Sequence, residues 1–165
     1  MIRAQLVDIE GSRDRLYEMM YEIGYPATKE HARDIDKALV FECWDTDEDV
    51  VAGYVWFYRI DDEPETWVIH ALVIEYYQQR FFTRNLVDTI SGVVYALGCD
   101  VVLAENANKD LLMHFGATET DRGCELLLPF FWRKNQWGSR SRKQREMPCR
   151  QLDSIIAPKL SHLLQ

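Results

Sequence analysis

Residues 66–104 hold the strongest constraint on what this chain can fold into. Thr66–Ile74 is apolar at both odd and even positions except for His70, which predicts a strand covered on both sides and central in its sheet. Helical spacing follows, because Leu86, Ile90, Val93, Val94 and Leu97 share one face of a helix that starts near Thr83 and stops at Gly98. Asp100–Ala104 then reads as a short buried strand. In such a strand–loop–helix segment, free backbone N–H groups and the positive end of a helix dipole meet at the helix start, and open α/β sheets bind phosphate there.

The flanking sequence completes one domain. Met1–Ile9 alternates weakly and is bounded by Gly11, as a first strand would be. Ser12 is placed to cap a helix carrying Leu16, Met19, Met20 and Ile23 on one face, with Gly24 and Pro26 as stop signals. Thr28, Glu30 and His31 open a second short helix reaching about Lys37. Ala38–Trp44 and Val50–Ile60 are β-forming and joined by the acidic turn 45–49, so an antiparallel hairpin is expected. A second acidic turn, 61–65, precedes the central strand. Asn108–Phe115 predicts a helix ending at Gly116, and Cys124–Trp132 a last strand after the turn 121–123. The expected order is β-αα-βββ-α-β-α-β over residues 1–132, followed by a basic linker and a helical segment around Leu152–Leu164 that Pro158 breaks or restarts. A chain of 165 residues, 47% hydrophobic, supports one core of this size.

Charge is unevenly divided. Residues 133–165 carry eight Lys or Arg against Glu146 and Asp153, whereas residues 1–132 carry 11 basic and 25 acidic side chains. A basic tail lying on its own acidic body and a tail that recruits an outside anion are both open readings. An acidic body argues against sequence-specific reading of DNA. Cys43, Cys99, Cys124 and Cys149 are far apart, without the spacing of a zinc site or a disulfide framework. With no apolar run long enough to span a bilayer and no leader pattern, a soluble, cytoplasmic protein is expected.

The segment from Leu72 through Glu75-Tyr76-Tyr77-Gln78-Gln79-Arg80-Phe81-Phe82-Thr83-Arg84 to Leu86 resembles the fourth strand, pyrophosphate loop and third helix of the GNAT superfamily of N-acetyltransferases. Asn106-Ala107-Asn108 through Leu112, Phe115 and Gly116 is similar to the superfamily's fifth strand and fourth helix, and Cys124–Trp132 to its closing strand. The likeness covers about residues 1–132 and is strongest over 66–130. It implies an α/β (α+β) fold with a mixed, mostly antiparallel sheet flanked by helices, and leaves 133–165 as a basic C-terminal extension. It also implies acetyl-CoA or CoA as cosubstrate, held by Leu72, Val73, Ile74, Gln78, Gln79, Arg80, Phe81, Phe82, Thr83, Arg84 and Asn108. Gln78 fits the first position of the family pattern Gln/Arg-x-x-Gly-x-Gly/Ala, but Phe81 and Thr83 stand where glycines are usual. Phe81 either turns away from the phosphate path or narrows it. The peptide N–H groups survive both replacements, and Arg80 and Arg84 add charge.

Acyl transfer to an amine needs a base, a donor for the oxyanion and an acid for the departing thiolate. The resemblance assigns the donor to a backbone N–H at about Val73. His70, the lone imidazole of the central strand, is the candidate base, with a hydrogen-bonded core histidine as the alternative; Glu75 and Glu105 at strand ends are fallback bases. Leu112 occupies the position where many family members carry the tyrosine acid, and His114 reads as a surface residue at a helix end. The tryptophans read as core rather than a stacking surface. The acceptor implied is a small-molecule amine or a protein lysine. The alternative is a catalytically degenerate GNAT fold, similar to small phage proteins, that binds a host or virion protein through residues 133–165. That segment is equally able to exchange between protomers of a homodimer, and nucleic-acid binding through Arg140–Arg150 ranks last.

Overall fold

A computed structural model of the chain describes residues 1–23, 37–78, 80–105, 109–129, 131–133 and 136–138. The helix expected from Thr28, the terminal helical segment, Gln79 and Asn106–Asn108 lie outside the described residues.

The chain runs β1 (Ile2–Val7), α1 (Ile9–Ile23), β2 (Leu39–Asp45), β3 (Val50–Ile60), β4 (Glu63–Val73), a 3₁₀ turn (Glu75–Tyr77), α2 (Arg84–Ala96), β5 (Val101–Ala104), α3 (Lys109–His114), β6 (Thr118–Thr120), β7 (Gly123–Leu127), β8 (Phe131–Arg133) and β9 (Gln136–Gly138). One seven-stranded sheet has the order β1-β2-β3-β4-β5-β7-β6, and β8 and β9 form a separate hairpin. Among the described residues only β4 and β5 pair in parallel, through the crossover helix α2; the other neighbours are antiparallel. The fold is the mixed, mostly antiparallel sheet expected, with β4 at its centre.

The two faces of the sheet are covered by different helices. Leu16, Met19 and Met20 of α1 pack on Val40, Tyr54, Trp56 and Leu72. On the other face Leu86, Val87, Ile90 and Val94 of α2, with Leu112 of α3, join Phe41, Val55, Phe57 and Ile69. This two-sided burial is why β4 reads as an unbroken apolar run. Both α2 and α3 end in a Schellman motif. Gly98 (φ +111°) lets Cys99 N–H reach Val94 O (2.9 Å), and Gly116 (φ +87°) lets Ala117 N–H reach Leu112 O (3.1 Å).

Several expected boundaries move. Helix α1 starts at Ile9, where the Asp8 carboxylate accepts the Glu10 N–H (3.2 Å), so Ser12 is a buried residue inside the helix and not its cap. The single strand expected over Cys124–Trp132 is two strands, because Pro129 has no N–H with which to continue a ladder. β6 is a further strand, three residues long, that pairs with β7. Its polar sequence, Thr-Glu-Thr, carries no apolar alternation that would mark it.

Candidate active site

The centre of the sheet opens where β4 outlasts its neighbour. β4 and β5 pair only from Thr66↔Val101 to Val68↔Leu103, and β5 ends at Ala104 while β4 continues to Val73. On its other edge β4 keeps one register with β3 from Arg59↔Trp67 as far as Gly53↔Val73. The direction of the amides follows from two bonds. Ile74 N–H donates to Ala52 O on β3 (3.0 Å), and Glu65 O accepts from Asp100 N–H, next to β5 (2.9 Å). Backbone polar groups alternate sides along a strand, so the even positions of β4 face β3 and the odd positions, Ala71 and Val73 among them, face the gap. Among the described residues no strand pairs with that edge beyond Val68. The Val73 N–H therefore points into the opening.

The loop from β4 to α2 shows which way Phe81 turns. Its ring is fully buried, lies against Gly53 on β3 and meets Phe82 edge-on with centroids 4.8 Å apart. Its ring therefore does not cross the outer surface of the loop. Thr83 is the cap of α2, its hydroxyl accepting the Leu86 N–H (3.3 Å). The amides of Phe82 and Asn85 have no acceptor among the described residues. Arg80 is exposed, with its guanidinium 4.3 Å from the ring centroid of Tyr76 and 5.7 Å from that of Tyr77. Arg84 lies 3.6 Å from Asp88 on its own helix. The loop is anchored to β2, since the buried Tyr77 hydroxyl donates to Asp45 (2.7 Å). That bond holds the Asp45 carboxyl below its ordinary range and pushes the Tyr77 phenol up to about 12. Among the described residues of the loop, uncovered amides, the Arg80 guanidinium and a Phe81 ring turned inward form a surface that fits a pyrophosphate.

The candidate bases are spread apart. His70 is 4% exposed and faces α1, stacked on Trp56 (5.4 Å) and Tyr58 (5.5 Å) of β3. It is three positions from Val73, roughly 10 Å along the strand. Glu75, in the 3₁₀ turn, and Glu105, just past β5, are both exposed. His114 is exposed at the end of α3, and Leu112 is buried in the core beneath that helix. Val73 is partly buried and faces α2, whereas Leu72 is buried on the α1 face.

One polar group on the α1 face was not anticipated. Glu42, 5% exposed on β2, accepts from the Tyr54 hydroxyl (2.7 Å), from Arg15 of α1 (3.3 Å) and from the Trp44 indole N–H. Burial and this bond push the Tyr54 phenol well above its usual range. Tyr54 lies opposite Leu72 on β4, the strand that borders the opening. A single carboxylate inside Leu39-Val40-Phe41-Glu42-Cys43-Trp44 was the available signal.

Cys43, Cys99 and Cys124 are buried and unpaired by disulfide, and burial raises the thiol pKa values of Cys43 and Cys99 far from the thiolate range. Among the described residues no group of His, Cys, Asp and Glu is placed to hold a metal, and no helix is long and apolar enough to cross a membrane.

No protein-family model and no curated protein matches the sequence. Solved structures do match by shape. A GNAT-family acetyltransferase from Desulfovibrio desulfuricans superposes with a TM-score of 0.58 at 13% identity, over 78% of this chain and 100% of that one. A Bacillus subtilis acetyltransferase, solved in complex with CoA, gives 0.53 at 21% identity over 68% and 70%. Glucosamine-6-phosphate N-acetyltransferase from Arabidopsis thaliana gives 0.52 at 10% identity over 73% and 94%. The likeness is one of fold, and the protein has the fold of the GNAT acetyltransferases.

Proposed function

We propose that this protein, built on the GNAT fold, is an N-acyltransferase that takes an acyl group from acyl-CoA and passes it to the amine of a small molecule or a protein lysine. The observation that carries the reading is the opening between β4 and β5, with the Val73 N–H turned into it and the Phe81 ring of the adjoining loop buried inward. Bound acyl-CoA supplies an activated thioester carbonyl, at which a C–N bond to the amine forms as the C–S bond breaks. In this reading the Val73 N–H donates to the carbonyl oxygen, where negative charge develops. Arg80 and the amides of Phe82 and Asn85 bind the pyrophosphate, with Gln78 beside them. His70 takes the proton lost by the attacking ammonium. At about 10 Å from Val73 along the strand it does so through water, from the α1 side of the sheet. Leu112 has no proton to give, so the departing thiolate is protonated from solvent. The acidic residues of 1–132 favour a cationic amine as acceptor.

The deciding measurement is the thermal stability of the full chain with CoA and acetyl-CoA. Ligand at about 100 times its Kd should add about 2.7 kcal/mol of apparent stability. No shift at millimolar CoA would overturn the acyl-CoA reading and leave the GNAT fold serving as a protein-binding module. Given binding, His70→Gln should retain the shift and lose most of its turnover. Full turnover in that variant would remove His70 from the mechanism.

A further inference from the structure

β1 is one edge of the seven-stranded sheet, and among the described residues no strand pairs with its outer side. The Thr46 N–H donates to Met1 O (3.0 Å), which makes Met1 and Thr46 a pair joined by backbone bonds. Such pairs recur at every second residue, so Arg3, Gln5 and Val7 turn their N–H and C=O groups towards Trp44, Glu42 and Val40 of β2. The N–H and C=O groups of Ile2, Ala4 and Leu6 therefore point outward. The side chains of these three residues share the α2 face, where Ile2 is buried, Ala4 packs against the core and Leu6 is 45% exposed.

Sheets blunt an open edge with proline, lysine, a bulge or a very short strand. β1 has Arg3 as its one charge, contains no proline or lysine, and keeps a single register with β2 from Ile2 to Val7. The opposite edge is blunted, because β6 is three residues long and polar. A second copy fits the open edge because β1 is complementary to itself. About a two-fold axis at Ala4, Ile2 stands opposite the second copy's Leu6, and Ala4 opposite its own equivalent. These are the outward-facing residues, so each pair exchanges backbone bonds. On the other face Arg3 meets the second copy's Gln5, and no like charges stand directly opposite. The second copy's Leu6 comes to lie beside Ile2, at a hollow between β1 and α2 that Ile2, Ala4, Leu86 and Thr89 help to line. The basic segment 139–165 is the competing strand. It follows β7, the last strand of the main sheet, which lies five places from β1, roughly 24 Å at 4.8 Å per strand. We infer that two copies of this chain pair antiparallel through β1, joining two seven-stranded sheets into one continuous sheet.

Sedimentation equilibrium of the full chain from about 1 µM to about 500 µM tests this, a range that reaches the weak end of specific interfaces. The mass should rise from 19.4 kDa to twice that value. Leu6→Lys sets a charge opposite Ile2 and should raise the dimer Kd at least about ten-fold. Ala4→Pro removes an outward N–H that β2 does not use, and should do the same. A proline in β1 can unfold the chain, whereas Leu6 is already at the surface, so the lysine variant decides if the proline variant fails to fold. Hydrogen exchange of the wild-type Ala4 and Leu6 amides reads the edge itself, and should slow about ten-fold or more as the dimer forms. A monomer at every concentration, or a dimer that Leu6→Lys leaves intact, would overturn the inference. Slow exchange of those amides in the monomer would overturn it too, because a segment of the same chain would then occupy the edge.

Discussion

Phe81 and Gly53 share one steric problem. A Cβ on Gly53 would stand 2.4 Å from the Leu72 carbonyl oxygen and 3.0 Å from Cε2 of Phe81. The bare β3 backbone at this point is what allows the Phe81 ring to turn inward from the loop. Here the glycine that makes room lies on the neighbouring strand and not in the loop itself. Gly53→Ala should cost on the order of 1–3 kcal/mol in urea denaturation, typical of overpacking. Phe81→Leu should not rescue it, because the shorter contact is with main chain that a smaller side chain leaves in place. Recovery of wild-type stability in the double variant would show that the ring contact governs instead. The residue pattern alone posed the alternatives for Phe81, inward or across the groove. It could not choose between them, because the choice depends on a residue 28 positions away on another strand.

The elements that were legible owe it to local chemistry. Helix α2 announces itself by the spacing of Leu86, Ile90 and Val94, by the Thr83 cap and by Gly98, all of which act within a few residues. β3, Val50–Ile60, is found where its β-forming residues predict it. What was not legible is held by long-range contact: the tether of the 3₁₀ turn to β2, the Glu42 network and β6. Asp45 read as part of an acidic turn, yet it ends β2, accepts the Tyr77 hydroxyl and also accepts the Asp47 N–H (3.0 Å). The tether makes the fold's stability depend on pH. A carboxyl whose folded pKa is depressed contributes stability above its unfolded pKa, and that contribution is lost as pH falls through the folded value. For Asp45 the unfolded reference is 3.8, and the hydrogen bond from Tyr77 is the largest cause of the lowering. Tyr77→Phe should therefore be less stable than wild type at pH 7, and the difference should shrink as pH falls below 3.8. Denaturation at pH 7, 5 and 3 measures this. A difference constant across that range would mean that Tyr77 stabilises by packing and not through the Asp45 carboxylate.

At the scale of the whole molecule, charge separates the two proposed substrates. The chain carries 27 acidic against 19 basic residues, and the imbalance falls on residues 1–132, while the loop that would meet the pyrophosphate exposes Arg80. A polyanionic donor must approach through a repulsive field to reach a small attractive site, whereas a cationic amine is drawn in by the same field. Salt screens charges farther apart than about 8 Å at physiological ionic strength, so the distant field fades before close contacts at the loop do. Raising salt from 20 to 150 mM should speed association of CoA by a few-fold and slow that of a diamine acceptor by a similar factor. Stopped-flow binding of each ligand at the two salt concentrations reads both slopes. Opposite signs are expected if the net charge of the body steers encounter. If CoA association instead slows with salt, the local field of Arg80 and its neighbours outweighs that of the body at the donor site; if diamine association does not slow, the acidic surface has no part in choosing the acceptor.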